Sequence, residues 1–302
     1  MSAFGKTIIV LFFCGFMLDA NAQRDLSEKQ EYSFVFMTDL HIKHDPFVLS
    51  EFSRLIDTIN SMKVDFVLTG GDQVFDVMRG NVKKGDSLFT LYKEQIAKIK
   101  VPVHSCMGNH ELFGIYPESD IDSTHSDYKY GMFKRYLGNP YYSFNHKGWH
   151  FIVLNVLDVA NKKYIGRVDE KQIAWLKQDL AQVDAGTPVV VAAHLPFVSS
   201  FYQVYPPKDG SDKDRPWISN RNEILQLFKQ HQLKMVLQGH THWLEDVNVE
   251  NRTHFITGGA VAGRPSWRGN NHGQRGFLLF SVKGDTFSWK FIEYGSKKSA
   301  VN

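Results

Sequence analysis

Five apolar, largely β-branched runs along the 302 residues each stop at a short polar motif that carries oxygen or imidazole donors. The runs at 32–38, 64–69, 101–106, 188–193 and 234–238 have strand length. They lead into Asp39-Leu40-His41, Gly70-Gly71-Asp72, Gly108-Asn109-His110-Glu111, His194-Leu195-Pro196 and Gly239-His240-Thr241-His242. Residues 49–62 place Phe52, Leu55, Ile56 and Ile59 at the spacing of an amphipathic helix, and 88–99 and 170–181 also read as helical. Strands alternating with helices predict an α/β protein whose site gathers beyond the strand ends. Further strands near 150–155, 253–257, 276–282 and 286–293 predict a second sheet on the first: two packed mixed β-sheets flanked by helices. The stretches 114–139 and 198–220 are too long for plain connections and read as covers over a site.

The ends of the chain read differently from its middle. Lys6, the apolar stretch 7–18 and Ala20-Asn21-Ala22 make residues 1–22 a secretory signal with cleavage expected near Ala22. The apolar stretch is shorter than the ~20 residues a bilayer crossing needs. Residues 23–31 read as a linker, 32–296 as one domain and 297–302 as a polar tail. Cleavage would remove Cys14 and leave Cys106 alone, so no internal disulfide is expected. The mature chain is then expected in an extracytoplasmic space, periplasmic or secreted, with no transmembrane segment. A formal net charge of +3 is too small to point to nucleic acid or an acidic membrane as partner. The oligomeric state is left open.

The chemistry of the five motifs is that of cation binding. In Asp39-x-His41 the period-two alternation of a strand puts a carboxylate and an imidazole on one side. Alone, the pair reads rather as an Asp capping the following helix and a surface His. Asp72 follows a glycine turn where backbones can approach closely. Asn109 is an unusual ligand, but its carbonyl oxygen suits a hard or borderline cation. His194 stands at a strand terminus, and His240 and His242 share one side of a turn.

Taken together, this set resembles the calcineurin-like metallophosphoesterase superfamily, weakly its cyclic-nucleotide-phosphodiesterase-like branch, from Asp39 to the C-terminal strands. The resemblance implies two divalent metal ions, Mn, Fe or Zn. One would be held by Asp39, His41, Asp72 and His242, the other by Asp72, Asn109, His194 and His240, with Asp72 bridging. It implies a phosphoric ester hydrolase in which a hydroxide between the metals attacks phosphorus and His110 protonates the leaving alkoxide. The expected substrate is a small or lipid-like phosphoester, a diester ahead of a monoester; a non-catalytic scaffold is the remote alternative. Many relatives carry an Asp three residues beyond the bridging Asp to orient the catalytic imidazole. Here Phe75 stands there and the carboxylate is at Asp76. The same position is Tyr in purple acid phosphatases, which sets this chain apart from them. Arg264, Trp267, Arg268, His272 and Trp217 are candidates for a phosphate clamp and a flat substrate platform, although an exposed loop rich in Arg and Gly has the same composition. The remaining histidines, such as His104, His146 and His150, read as structural or solvent-exposed.

Overall fold

Alternate residues of β1 (Glu31–Met37) face two different cores, and both faces are apolar. Phe34 and Phe36 point into one buried cluster while Val35 and Met37 point into another, as the strand's period of two requires. A strand buried on both sides reads as a nearly continuous apolar run, which is what residues 32–38 are. The computed structural model describes residues 30–205, 217–261 and 275–294. The signal expected at 1–22, most of the expected linker, Arg264, Trp267, Arg268, His272 and the expected tail at 297–302 lie outside them.

The first sheet contains β1, β2 (Phe66–Thr69), β3 (Val103–His104), β12 (Gly276–Lys283) and β13 (Thr286–Glu293), in the order β13-β12-β1-β2-β3. β1, β2 and β3 run parallel, and β12 and β13 extend the sheet antiparallel. The second sheet uses β4 (Tyr142–His146), β5 (Trp149–Val153), β8 (Pro188–Ala192), β9 (Gln232–Gln238), β10 (Glu245–Val249) and β11 (Thr253–Thr257). Its order is β10-β11-β9-β8-β5-β4, with a parallel centre and antiparallel edges. A hairpin of β6 (Leu157–Ala160) and β7 (Lys163–Gly166) stands outside both. The two packed mixed sheets are therefore as expected.

Aromatic rings fill the space between the sheets. Phe34 stacks on Phe66 at 5.0 Å and on Phe280 at 4.7 Å, and meets Phe151 of the facing sheet edge-on at 5.6 Å. Such offset and T-shaped pairs add about 0.5–1.5 kcal/mol each beyond area burial. The outer faces are covered by helices. α1 (Pro46–Asn60) buries Phe52, Leu55, Ile56 and Ile59, and starts at Asp45, whose side chain accepts from the backbone N–H of Phe47 and Val48. α2 (Val82–Ile96) is capped by Asn81, and α4 (Glu170–Leu180) by Asp169. α3 (Gly131–Leu137), α5 (Phe201–Val204) and α6 (Arg221–Leu227) are short. α3 gives the stretch 114–139 a folded piece of its own. The strand expected over 101–106 shrinks to Val103–His104 because Cys106 and Met107 already turn toward the site loop.

Five parallel strands from the two sheets end at the same level, and the loops after them meet. The amide of Asp39 donates to the Gly71 carbonyl at 3.0 Å and that of Gly239 to the His194 carbonyl at 3.0 Å. A parallel bridge from Thr38 to Ala260 ties the sheets beside them. At Gly239 the two sheets approach closely: a Cβ there would strike Thr38 Oγ1 and Asp39 Oδ2.

Candidate metal centre

All seven candidate ligands lie on those loops. β1 delivers Asp39 and His41, β2 delivers Asp72, and the loop after β3 delivers Asn109. β8 delivers His194, and β9 delivers His240 and His242. Five of them hold left-handed backbone angles: Asp39 (φ 56°), His41 (44°), Asp72 (54°), His240 (72°) and His242 (55°). Non-glycine residues seldom adopt such angles, and their clustering marks a site held by its surroundings.

The donor atoms converge in two groups around Asp72. In the first, His242 Nε2 lies 3.1 Å from Asp39 Oδ1 and 3.2 Å from His41 Nε2. In the second, Asn109 Oδ1 lies 3.0 Å from His194 Nε2 and 2.9 Å from His240 Nδ1, and the two imidazole nitrogens are 3.2 Å apart. Asp72 Oδ2 reaches both, at 3.7 Å from His41 Nε2 and 3.3 Å from His194 Nε2. Asp39, His41, Asp72, Asn109 and His194 are buried. The donors are oxygens and imidazoles, while the sole described thiol, Cys106, is buried away with its Sγ toward the Met107 and Leu154 carbonyls. That set fits two borderline divalent cations such as Mn, Fe or Zn. Buried polar groups packed this closely, with few other partners, are costly unless a cation or proton compensates them.

Protonation follows from packing. Burial alone would raise Asp72, but the charges of His194 and His110 hold its carboxyl well below the ordinary range. Burial likewise opposes charge on His194, yet Asp72 wins and lifts the imidazole to about 9. Burial and the neighbouring His194 charge push His240 down to about 3, and burial drives His41 well below its ordinary value. Burial opposes charge on His242 too, but the Asp39 carboxylate prevails and raises it. Ionised carboxylates and neutral imidazoles are the forms that ligate metals, so His194 and His242 are the ligands that must surrender a proton. His194 Nδ1 faces the Gly70 carbonyl at 2.8 Å, which fixes the tautomer and turns Nε2 into the site.

Glu111 is the residue sequence reasoning underused. It is fully buried and accepts from the backbone N–H of Gly108 (2.7 Å), Asp72 (3.0 Å) and Val74 (3.0 Å). One carboxyl thus clamps the loops that carry Asp72 and Asn109. Burial and the Asp72 charge push it up to about 8, against the pull of those N–H groups. Gly108 completes the clamp, because a Cβ there would overlap the Asp72 amide and Oδ1. The signal was present in Gly108-Asn109-His110-Glu111, where the acid directly follows two polar site residues.

His110 sits at the edge, half-buried, with Nε2 3.9 Å from Asp72 Oδ2. Its own amide donates to Asp72 Oδ1 at 2.9 Å. Its Nδ1 accepts a hydrogen bond from the backbone N–H of Asp76 at 3.0 Å, so the neutral ring carries its proton on Nε2. The Asp76 carboxylate turns away, accepting from the Met78 amide at 3.1 Å and facing Arg79 at 3.5 Å. Phe75 lies beside His110 with ring centroids 6.1 Å apart and carries the Lys43 ammonium over its face at 4.9 Å.

A family model described as calcineurin-like phosphoesterase matches residues 32–244, which contain every one of these side chains. The chain belongs to that family. The family works with two divalent metal ions, and the two clusters around Asp72 are suited to hold them. Purple acid phosphatase 23 of Arabidopsis thaliana is 32% identical over 155 residues, covering 49% of this chain and 30% of that protein. The chain thus spans less than a third of the length of the curated relatives it matches. Among solved structures, a dimetal phosphatase from Danio rerio shares the fold with a TM-score of 0.60 at 16% identity, covering 87% of this chain and 97% of its own. A purple acid phosphatase from yellow lupin seeds follows at 0.55 and 16%, covering 88% of this chain and 52% of its own. The likeness to purple acid phosphatases is closer than Phe75 suggested, and Phe75 remains the point of difference, since a phenyl ring offers no oxygen to a metal.

Trp217 is the one described member of the expected substrate platform. It stands before α6 with the Arg221 guanidinium over its indole at 5.1 Å. Arg275 faces Glu51 and Phe47, so it braces α1. No helix among the described residues is long and apolar enough to cross a membrane.

Proposed function

We propose that this chain is an exported hydrolase of small phosphoesters, with Asp39, His41, Asp72 and His242 holding one divalent cation and Asp72, Asn109, His194 and His240 the other. The observation that carries the reading is the convergence of seven oxygen and imidazole donors from five separate loops into two groups that Asp72 Oδ2 joins. Cations there would supply Lewis acidity at the phosphoryl group and lower the pKa of water. The chain's own part is to bring groups to the reacting ester and keep them still. His110 turns its Nε2–H toward the leaving oxygen, where a hydrogen bond stabilises the developing negative charge, and the Asp76 amide holds the ring in that tautomer. Glu111 and Gly108 fix Asp72, and the Gly70 carbonyl fixes His194.

The relatives named acid phosphatases favour a phosphomonoester as substrate. The diester expected from the sequence is the second reading, favoured by retention of a proton donor at His110 for an alkoxide leaving group. Export rests on the segment before Gln23. Saturation kinetics of the metal-loaded mature protein on p-nitrophenyl phosphate and bis-(p-nitrophenyl) phosphate test this directly. Metal-dependent turnover of either supports the hydrolase, and the larger kcat/KM names the ester class. No metal-dependent turnover of either ester counts against the reading.

A further inference from the structure

We infer that Tyr164, Tyr202 and Trp217 form a subsite for a flat aromatic ring carried on the alcohol of the substrate ester. The inference rests on the phosphoester reading above and adds the class of alcohol.

The three rings line a path that begins at the metal centre and crosses between two segments joined by the Gly166–Ile218 bridge. Tyr164, on β7, meets the His240 imidazole edge-on with centroids 6.2 Å apart. Tyr202, on α5, meets the Trp217 indole at 5.2 Å and an interplanar angle of 62°. All three side chains are half-buried, neither covered as core rings are nor fully in water.

The surrounding backbone holds this path in place. A bridge pairs Gly166 with Ile218, and the Ser219 amide donates to the Gly166 carbonyl at 2.8 Å. Gly166 has no side chain to spare, because a Cβ there would strike the Trp217 carbonyl. The hairpin that carries Tyr164 and the segment that carries Trp217 are thereby locked together. On the other side, Glu245 accepts from the Ser200 amide at 2.9 Å and from its hydroxyl at 2.6 Å. That pins the start of α5 beside the loop of His240 and His242. Phe201 and Tyr205 then pack on Trp243, the residue after His242, at 6.1 and 5.2 Å.

Rings fixed at tilted angles offer faces and edges to another ring, and stacking discriminates in favour of a π-system over an alkyl chain of similar apolar area.

The test uses binding, independent of turnover. Metal-loaded protein is titrated calorimetrically with 2-phenylethylphosphonate and with hexylphosphonate, which share a phosphoryl group and differ in the ring. The subsite requires a preference of about tenfold for the aromatic probe, the size of one stacking contact. Trp217→Ala and Tyr202→Ala should abolish that preference, and Trp217→Phe should retain it, which separates lost stacking from lost folding. Equal affinities in the parent, no binding of either probe, or a preference that survives both alanine variants would overturn the inference. A ring preference without hydrolysis of any ester leaves the subsite standing and removes the hydrolase reading.

Discussion

The backbone N–H of Asp76 donates to Nδ1 of His110 across 3.0 Å, from a left-handed turn at φ 47°. A peptide amide here fills the place that a carboxylate three residues beyond the bridging Asp takes in many relatives. The amide cannot change its protonation, so Nε2 of the neutral ring keeps its proton. Asp76→Asn preserves the amide and tolerates the left-handed angle, and kcat within about threefold of the parent is expected, a small loss against the 10²–10⁴ of a missing acid. A collapse of kcat in that variant would assign the orienting role to the carboxylate.

His110→Ala removes the proton donor and leaves the seven candidate ligands intact. The expected loss in kcat is about 10²–10⁴-fold, with both metal ions retained by elemental analysis. Loss of metal in proportion to activity would make His110 a ligand instead.

Glu111→Gln tests the clamp between the loops of Asp72 and Asn109. Glutamine brings an NH₂ to a place where three backbone N–H groups already point inward. A loss of about 1–3 kcal/mol in unfolding free energy is expected. Metal affinity should fall by about 10–100-fold, the usual result of disturbing groups behind the ligands. Unchanged stability and metal binding would show that the loops hold themselves.

Metal removal should be felt in stability because five candidate ligands sit at left-handed angles. Saturating Mn or Zn at about 100 times its dissociation constant adds about 2.7 kcal/mol per site. At about 2–4 °C per kcal/mol for a domain approaching this size, one site alone raises Tm by about 5–10 °C over chelator-treated protein. A Tm insensitive to chelator would contradict a metal-linked site.

Away from the site, Asp179 on α4 accepts from His150 Nε2 of β5 at 2.8 Å and from the Ser143 hydroxyl of β4. Burial would raise its carboxyl, but the His150 and Ser143 hydrogen bonds prevail and hold it below the ordinary range. A depressed folded value stabilises above the unfolded carboxyl pKa of about 3.9 and loses that contribution as pH falls below it. Asp179→Ala should therefore lower unfolding free energy by about 1–2 kcal/mol at pH 7. The gap from the parent should narrow in urea melts as pH drops below about 3.9. A gap constant down to pH 2.5 would exclude the ionised carboxylate as its source.

The strand ends were legible because a strand buried on both faces reads as one apolar run and stops where the polar loop begins, as at Thr38 and Asp39. The pattern of Asp72, Asn109 and His194 was legible for the same reason. The motif singled out Glu111, but its clamping role was hidden, since its partners Asp72 and Val74 lie far off in the chain. The orienting amide of Asp76 was also hidden, because side-chain identity says nothing of where a backbone N–H points. The β6–β7 hairpin escaped notice: Leu157–Ala160 and Lys163–Gly166 are short and lack a sustained alternation, so Tyr164 gave no sign of its place against His240.

The central claim is that two cations around Asp72 make this chain a phosphoester hydrolase. The most direct measurement is to titrate chelator-stripped protein with Mn or Zn while following p-nitrophenyl ester hydrolysis and bound metal together. The account expects activity to rise and saturate at two ions per chain, and Asp72→Asn to lose both. Full activity in stripped protein, or two bound ions without hydrolysis of either the mono- or the diester, would contradict it.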